Sequence, residues 1–302
     1  MDIKIPRGLY VIAVSGGVDS MVLLDLAVKK PGVNLIVGHF NHGIRADGNK
    51  DEALVRKAVR RYGLSLEVGH GGLGSEASEA QARQARYAYL RSVKQHYKAR
   101  AILMAHHQDD LIETAIINII RGTGYRGLVS ISKNPEVVRP LLKFSKSRIL
   151  SYARQNSIIW REDASNLEID YLRNWVRHKL VPKLDQEARA YLLTNIDKVA
   201  KTSGEIESLI ATISQKIVKG NQISRYDFVM LPPEVGQQLI MRWLKMNGTT
   251  LIDRKMVNRL AGAIKTAKPG TSFNISENYI LKIEKQSAYI SQLHLADKQE
   301  IS

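Results

Sequence analysis

The sequence predicts an α/β protein: a doubly wound parallel sheet covered by helices on both faces, followed by a small α+β domain. Three observations carry the prediction. Short β-branched apolar runs alternate with longer stretches of helical spacing; the first run ends in a serine-glycine-glycine turn that opens into a helix; and the alternation ceases after Pro140. Strands that alternate with helices in this way require right-handed crossovers, which place helices on both faces of a parallel sheet.

Residues 9–14 form the first apolar run, stopped by Ser15, Gly16 and Gly17, and residues 21–28 then carry apolar side chains at helical spacing. The unit recurs as strand 34–40 before helix 47–62, strand 65–68 before helix 78–97, and strand 101–105 before helix 109–120. Beyond Pro140, residues 145–155 read as a helix, 161–170 as an irregular polar loop, and 171–181 as a basic helix stopped by Pro182. Residues 188–219 can be helical throughout apart from Gly204, and so could bridge two domains. After Pro232 and Pro233 come helices 234–246 and 254–267, then a hairpin of 272–275 with 279–283, and a last strand at 288–290. The expected organisation is an α/β domain over 1–187, a helical linker over 188–222 and a small α+β domain over 223–302.

Composition narrows what such a protein does. The 302 residues carry a net charge of +16, which points to a polyanionic partner, either nucleic acid or an anionic membrane surface. Cysteine is absent. That excludes disulfides, cysteine-ligated zinc, iron–sulfur clusters, a thiol nucleophile and a persulfide relay. The start alternates charged with apolar residues, unlike a signal peptide, and no run approaches the ~18 apolar residues of a membrane span. The expectation is a soluble, cytoplasmic protein.

In a doubly wound sheet, ligands bind beyond the carboxyl ends of the strands, so the turn after the first strand is a favoured place. Ser15, Gly16, Gly17, Val18, Asp19 and Ser20 lie there. The glycines let backbone amides approach an anion, the serines add hydroxyls, and the next helix supplies the positive end of its dipole. These features describe a phosphate cradle, against the plainer reading of a tight turn. It is not a Walker loop, because no G-x-x-x-x-G-K-[ST] occurs and no lysine reaches back. Asp19 beside phosphate requires a cation such as Mg2+ between the two negative charges, or else it caps the helix. Gly69, Gly71 and Gly74 also fit G-x-G-x-x-G, but residues 80–108 hold no acid for a ribose. A loop entering a helix that begins near Ser75 or Ser78 is the better reading.

Three polar groupings follow the other strands. His39 and His42 leave the second strand with Arg45; a metal pair is one reading, turn histidines packed near a phosphate site the simpler one. His106, Asp110 and Glu113 fall at i, i+4 and i+7 after the fourth strand, on one face if the helix reaches back that far. They fit metal ligands of a hydrolase, a pocket for an ammonium group, or acids favoured by the helix dipole. Arg83 and Arg86 form either a phosphate clamp or a solvated basic face, and Gly122, after Arg121, is a natural helix cap. Spacing alone gives no mechanism for Arg139-Pro140-Leu141-Leu142 or for residues 162–166.

Taken in order, these segments resemble the tRNA(Ile)-lysidine synthetases, a family of PP-loop (N-type) ATP pyrophosphatases. The resemblance rests on S-G-G-x-D-S at 15–20, H-x-x-H-x-x-R at 39–45, A-R-x-x-R-Y at 82–87 and H-H-x-D-D-x-x-E-T at 106–114. It continues through 121–124, 139–142, 162–166 and Arg173-Asn174-x-x-Arg177, strongly over residues 10–182. It implies a PP-loop domain that binds ATP through Ser15, Gly16, Gly17, Val18, Asp19, Ser20, His39, Arg121 and Gly122, with Mg2+ on Asp19. Arg83, Arg86, His106, Asp110 and Glu113 are implied as catalytic. The substrates implied are free L-lysine and tRNA(Ile) with a CAU anticodon, joined through an adenylated cytidine; a homodimer is a possible assembly, and no membrane is involved. Thiolating relatives and glutamine-dependent amidotransferases use cysteine, so a chain without it retains the route in which an intact amine attacks. An enzyme resembling NAD synthetase, an RNA-binding module without catalysis and a metallohydrolase are the alternatives.

The charge has a location. Residues 1–185 hold 29 basic and 18 acidic residues, whereas 186–302 hold 16 and 11. Residues 80–108 and 137–161 each carry six Lys or Arg and no acid, and 171–184 four more. These stretches flank the motifs, as a track leading RNA to the ATP site would, and such binding weakens steeply with salt.

Overall fold

Strand β1 (Gly8–Ala13) lies parallel to β2 (Val33–Asn41), in register from Gly8 against Val33 to Ala13 against Gly38. The other edge of β1 pairs with β4 (Ala101–Leu103), while β3 (Ser65–His70) pairs with β2 and the two-residue β5 (Val137–Val138) with β4. The five parallel strands run in the order β3-β2-β1-β4-β5, so connections depart in opposite directions on the two sides of β1. In such a sheet the crevice for a ligand opens at the carboxyl ends of β1 and β4. The computed structural model describes residues 1–43, 48–72, 74, 78–128, 134–161, 171–249 and 252–292.

Alternation along β1 divides the core between the two faces. Tyr10 and Ile12 pack with α1 (Val18–Val28), α2 (Gly48–Tyr62) and α6 (Lys146–Gln155), whereas Val11 packs with Leu90 and Val93 of α3 (Glu79–His96). Both faces are therefore buried, as the apolar runs of a parallel sheet require. Ser78 opens α3 with a capping box to Gln81, at one of the two starts expected from sequence; Ser75 lies outside the described residues. Strand β5 escapes sequence reading because two residues are too few to show a period.

Asp25 is buried among the apolar residues of α1, and its surroundings explain why. The hydroxyls of Tyr62 and Tyr152 each donate to it at 2.8 Å, and Lys29 Nζ lies at 2.7 Å, so one carboxylate ties α1 to α2 and α6. Burial opposes its charge, but the donors from Lys29, Tyr152 and Tyr62 prevail and hold the carboxyl below the usual range. The resulting stability is present above the ordinary carboxylate pKa and is lost as pH falls through the lowered value. Asp25→Ala strands three donors and should cost ~2–3 kcal/mol, allowing for the half-exposed Lys29, read as a lower urea midpoint with unchanged slope.

Helix α4 (Gln108–Ile120) follows β4 and leads into the one-turn α5 (Tyr125–Leu128). The basic helix expected over 171–181 is more irregular than its sequence suggests. It consists of α7 (Tyr171–Trp175), a π-helical segment Val176–Leu180 and a 3-10 turn Val181–Lys183. Pro182 has no N–H to continue the α-helical ladder. Helix α8 (Gln186–Ile217) then runs unbroken through Gly204 but ends two residues before Lys219.

The chain divides into two compact units, Met1–Ala200 and Lys201–Ser302, with the division inside α8. In the second unit, β6 (Val218–Lys219), β7 (Gln222–Ser224), β8 (Ser272–Ser276), β9 (Tyr279–Ile283) and β10 (Ser287–Gln292) form an antiparallel sheet of order β6-β7-β10-β9-β8. Helices α9 (Arg225–Val229), α10 (Pro233–Met246) and α11 (Arg254–Thr266) supply Phe228, Trp243 and Leu260 to its core. The Trp243 Nε1–H donates to Gly220 O at 3.1 Å, so the buried indole leaves no donor unsatisfied. Among the described residues, no helix is long and apolar enough to cross a membrane.

Candidate active site

At the end of β1 the Val14 N–H still donates to Gly38 O at 3.0 Å, and then the chain turns. Gly16 has φ +95°, a conformation that glycine adopts freely. Ser20 Oγ donates to Gly17 O at 2.9 Å and accepts from the Ser15 N–H at 3.1 Å, while Ser15 Oγ accepts from the Gly17 N–H at 3.4 Å. The two serines thus brace the turn from inside. Gly17 caps α1 with no side-chain acceptor, which leaves the first-turn amides for an anion, and Val18 anchors the turn in the core. A phosphate fits this arrangement.

Asp19 faces a lysine that sequence reading did not place at the turn. Lys146 Nζ, from the first turn of α6 and 127 residues further along the chain, lies 2.7 Å from both carboxylate oxygens. No lysine reaches back from the loop itself; one reaches in from another helix. Asp19 Oδ1 is also 3.7 Å from His107 Nε2, and that nitrogen is 3.6 Å from Asp110 Oδ2. His107 caps α4, and its backbone N–H donates to Asp110 Oδ2 at 2.8 Å.

Beyond Asp110 the contacts continue through Arg177, carried by the π-helical segment. Its Nε and Nη2 donate to the two Glu113 oxygens at 2.9 and 2.8 Å, and Nη2 lies 3.6 Å from Asp110 Oδ1. The two acids differ in character. Burial opposes charge on Asp110, but His107, His106, the backbone N–H and Arg177 overcome it and lower its pKa. Burial of Glu113, which is 4% exposed, outweighs Arg177 and raises its pKa. An unbroken series of polar contacts therefore leads from Lys146 through Asp19, His107, Asp110 and Arg177 to Glu113.

His106 stands outside the helix with which its spacing grouped it, because α4 starts at Gln108 and His107 occupies the cap. It is held instead by Arg139, whose Nε–H donates to His106 Nδ1 at 3.0 Å. Burial pushes its pKa down to about 4; the Asp110 charge opposes this, and Arg139, Arg83 and Arg86 add to it. These interactions place Arg83 and Arg86 of α3 in the field of the site. Arg83 also stacks over the Tyr87 ring at 5.0 Å. Arg139, for which spacing gave no mechanism, is thus a positioning residue, and the neighbouring Leu141 is fully buried.

His39 lies in β2 and not in a turn. It is 3% exposed, and Nδ1 donates to Val14 O at 2.8 Å, so it supports the strand beneath the glycine turn; burial lowers its pKa. His42 packs edge-on against Phe40 at 4.9 Å. Arg121 and Gly122 end α4, Gly122 with φ +63°, and Arg121 lies eleven positions beyond Asp110, ~17 Å from it along the axis. Arg161, unnoticed in the sequence, donates its N–H to Gly16 O at 3.1 Å and pairs with Asp51 at 2.7 Å. Arg45 and residues 162–166 lie outside the described residues.

Among the described residues, no group of three His, Asp or Glu side chains is arranged to hold a metal ion. Asp19, whose two oxygens are bridged by Lys146, is a single carboxylate beside the turn, and Mg2+ is commonly bound by one or two carboxylates with substrate phosphates and water completing its shell.

A 3-2-1-4-5 parallel sheet with a glycine turn at its switch point, an uncapped helix behind the turn and a carboxylate–lysine pair beside it defines a nucleotide-binding α/β domain. Residues 5–184 match the family of PP-loop domains. Over 287 residues the chain is 31% identical to a tRNA(Ile)-lysidine synthase of Francisella tularensis subsp. holarctica, covering 91% of this chain and 71% of that one. The corresponding protein of Chlorobaculum tepidum is 29% identical over 272 residues, 84% of this chain and 82% of its own. The chain belongs to the tRNA(Ile)-lysidine synthase family. In fold it is similar to the U34-tRNA thiolase NcsA from Methanococcus maripaludis, with a TM-score of 0.55 and 17% identity over 65% of this chain and 74% of that one. The thiolase has a [4Fe-4S] cluster, whereas this sequence has no cysteine with which to bind one.

Proposed function

We propose that the protein uses ATP to join free L-lysine to the wobble cytidine of tRNA(Ile) with a CAU anticodon. The observation that carries this reading, beside the family relationship, is the continuous contact series between the glycine turn and the Asp110–Glu113 pair. It provides adjoining places for a nucleotide and an amine.

In the first step the cytidine 2-carbonyl oxygen attacks the α-phosphorus of ATP and the bond to pyrophosphate breaks. The lysine ε-amine then attacks C2, AMP leaves, and the amine gives up a proton. Turn amides and Lys146, with Arg83 and Arg86, offset the charge that develops on the phosphates. Asp19 would hold Mg2+, whose part is to neutralise the triphosphate. Asp110, held in its charged form, suits an ammonium group of lysine, and Glu113, with its raised pKa, suits the proton that the amine must lose. His106 is neutral at pH 7, and Arg139 occupies its Nδ1, so Nε2 carries the proton. It thereby serves as a hydrogen-bond donor and not as the base.

Pyrophosphate and AMP release, measured separately, test the order of steps. With ATP and tRNA but no lysine, pyrophosphate should be released once per tRNA and AMP retained on the RNA; lysine should then release the AMP. Pyrophosphate release that needs a small acid and ammonia but no tRNA would favour chemistry of the NAD-synthetase kind.

A further inference from the structure

The segment that brings Arg177 to Glu113 has a second, outward face with no part in that site. Trp175, His178, Lys179, Pro182 and Lys183 are all exposed there, whereas Val176 and Val181 between them are buried. Trp175 is 42% exposed, although the chain's other two tryptophans are half-buried and buried. An exposed indole offers a flat face on which an unpaired base can stack. Its surroundings indicate the kind of ligand, since Lys179 and Lys183 share its exposed face with His178.

An exposed indole beside exposed lysines is an arrangement that binds single-stranded nucleic acid: cations follow the phosphates, and an unpaired base stacks on the ring. A protein cofactor or anionic lipid would meet the same charge, but neither needs a flat aromatic face beside it. An anticodon loop presents unpaired bases beside the one to be modified, and these must be splayed for the target to enter a pocket. We infer that Trp175 is the stacking platform for an unpaired base flanking the target cytidine, with Lys179 and Lys183 contacting the adjoining phosphates. The inference rests on the RNA-modifying reading above.

The full chain should be compared with Trp175→Ala and Trp175→Phe. The probe is a 17-nucleotide RNA hairpin of the isoleucine anticodon arm. Binding to Trp175→Ala should weaken by about tenfold or more, Trp175→Phe should keep most of the affinity, and ATP binding should be unchanged in both. In activity, the alanine variant should raise KM for tRNA while kcat at saturating tRNA holds. Indole fluorescence should be quenched by the hairpin in the wild type, and that quenching should be lost in the phenylalanine variant. Equal hairpin affinity in wild type and Trp175→Ala, or quenching that persists in Trp175→Phe, would overturn the platform while leaving the RNA-modifying reading intact. Failure of the wild type itself to bind the hairpin would instead defeat the reading on which the platform rests.

Discussion

Lys146→Met should slow adenylation of the tRNA about a hundredfold, the loss typical when one preorganised group facing transition-state charge is removed. Lys146 Nζ sits 2.7 Å from both oxygens of Asp19, beside the turn that the nucleotide phosphates would occupy. Methionine keeps the length of the side chain and discards the charge. Without the ammonium, the Asp19 carboxylate and the triphosphate face each other with one positive charge fewer between them, so the variant should also bind ATP more weakly at a given Mg2+ concentration. Lys146→Arg should recover much of the rate. Single-turnover formation of AMP-tRNA, with Mg2+-dependent ATP binding measured in parallel, checks both effects. A methionine variant with the wild-type adenylation rate would remove Lys146 from the chemistry.

Glu113→Ala should leave the first step comparatively intact and impair the second. The carboxylate lies in the second turn of α4, in contact with Arg177 and in the field of Asp110. On the proposed mechanism its removal takes away one recognition group and one proton acceptor, and it deprives Arg177 of two hydrogen bonds. Loss of a charge-assisted hydrogen bond corresponds to about tenfold to a hundredfold in the lysine concentration needed for AMP release. Pyrophosphate release without lysine should change little. An unchanged lysine dependence would show that the amine binds elsewhere.

The catalytic unit was legible in the sequence because its signals are local. Apolar runs of β1 and β2, the glycine turn and the capping box at Ser78 each announce themselves within a few residues. Asp19, Asp110 and Glu113 were legible as chemistry for the same reason, since each stands near the start of a helix that follows a strand. What spacing could not show is which distant side chains complete them. Lys146, Arg139 and Arg177 reach the site from segments well beyond the motifs they serve, and nothing in their local sequence names Asp19, His106 or Glu113 as partner.

His106 shows the opposite failure. Its i, i+4, i+7 spacing with Asp110 and Glu113 was real, but a helix starting at Gln108 removes it from that face and gives it to Arg139. In the second unit, β6, β7 and α9 are too short to display a period, and hydrogen bonding across the sheet defines them instead.

On the proposed function, one site activates cytidine with ATP and then delivers lysine to it. The direct measurement is to incubate the protein with ATP, labelled lysine and a transcript of the minor isoleucine tRNA, digest the RNA, and analyse its nucleosides. The label should appear in a modified cytidine, dependent on ATP and on the CAU anticodon. Label that remains in free lysine, while pyrophosphate is released and the tRNA is otherwise intact, would contradict it.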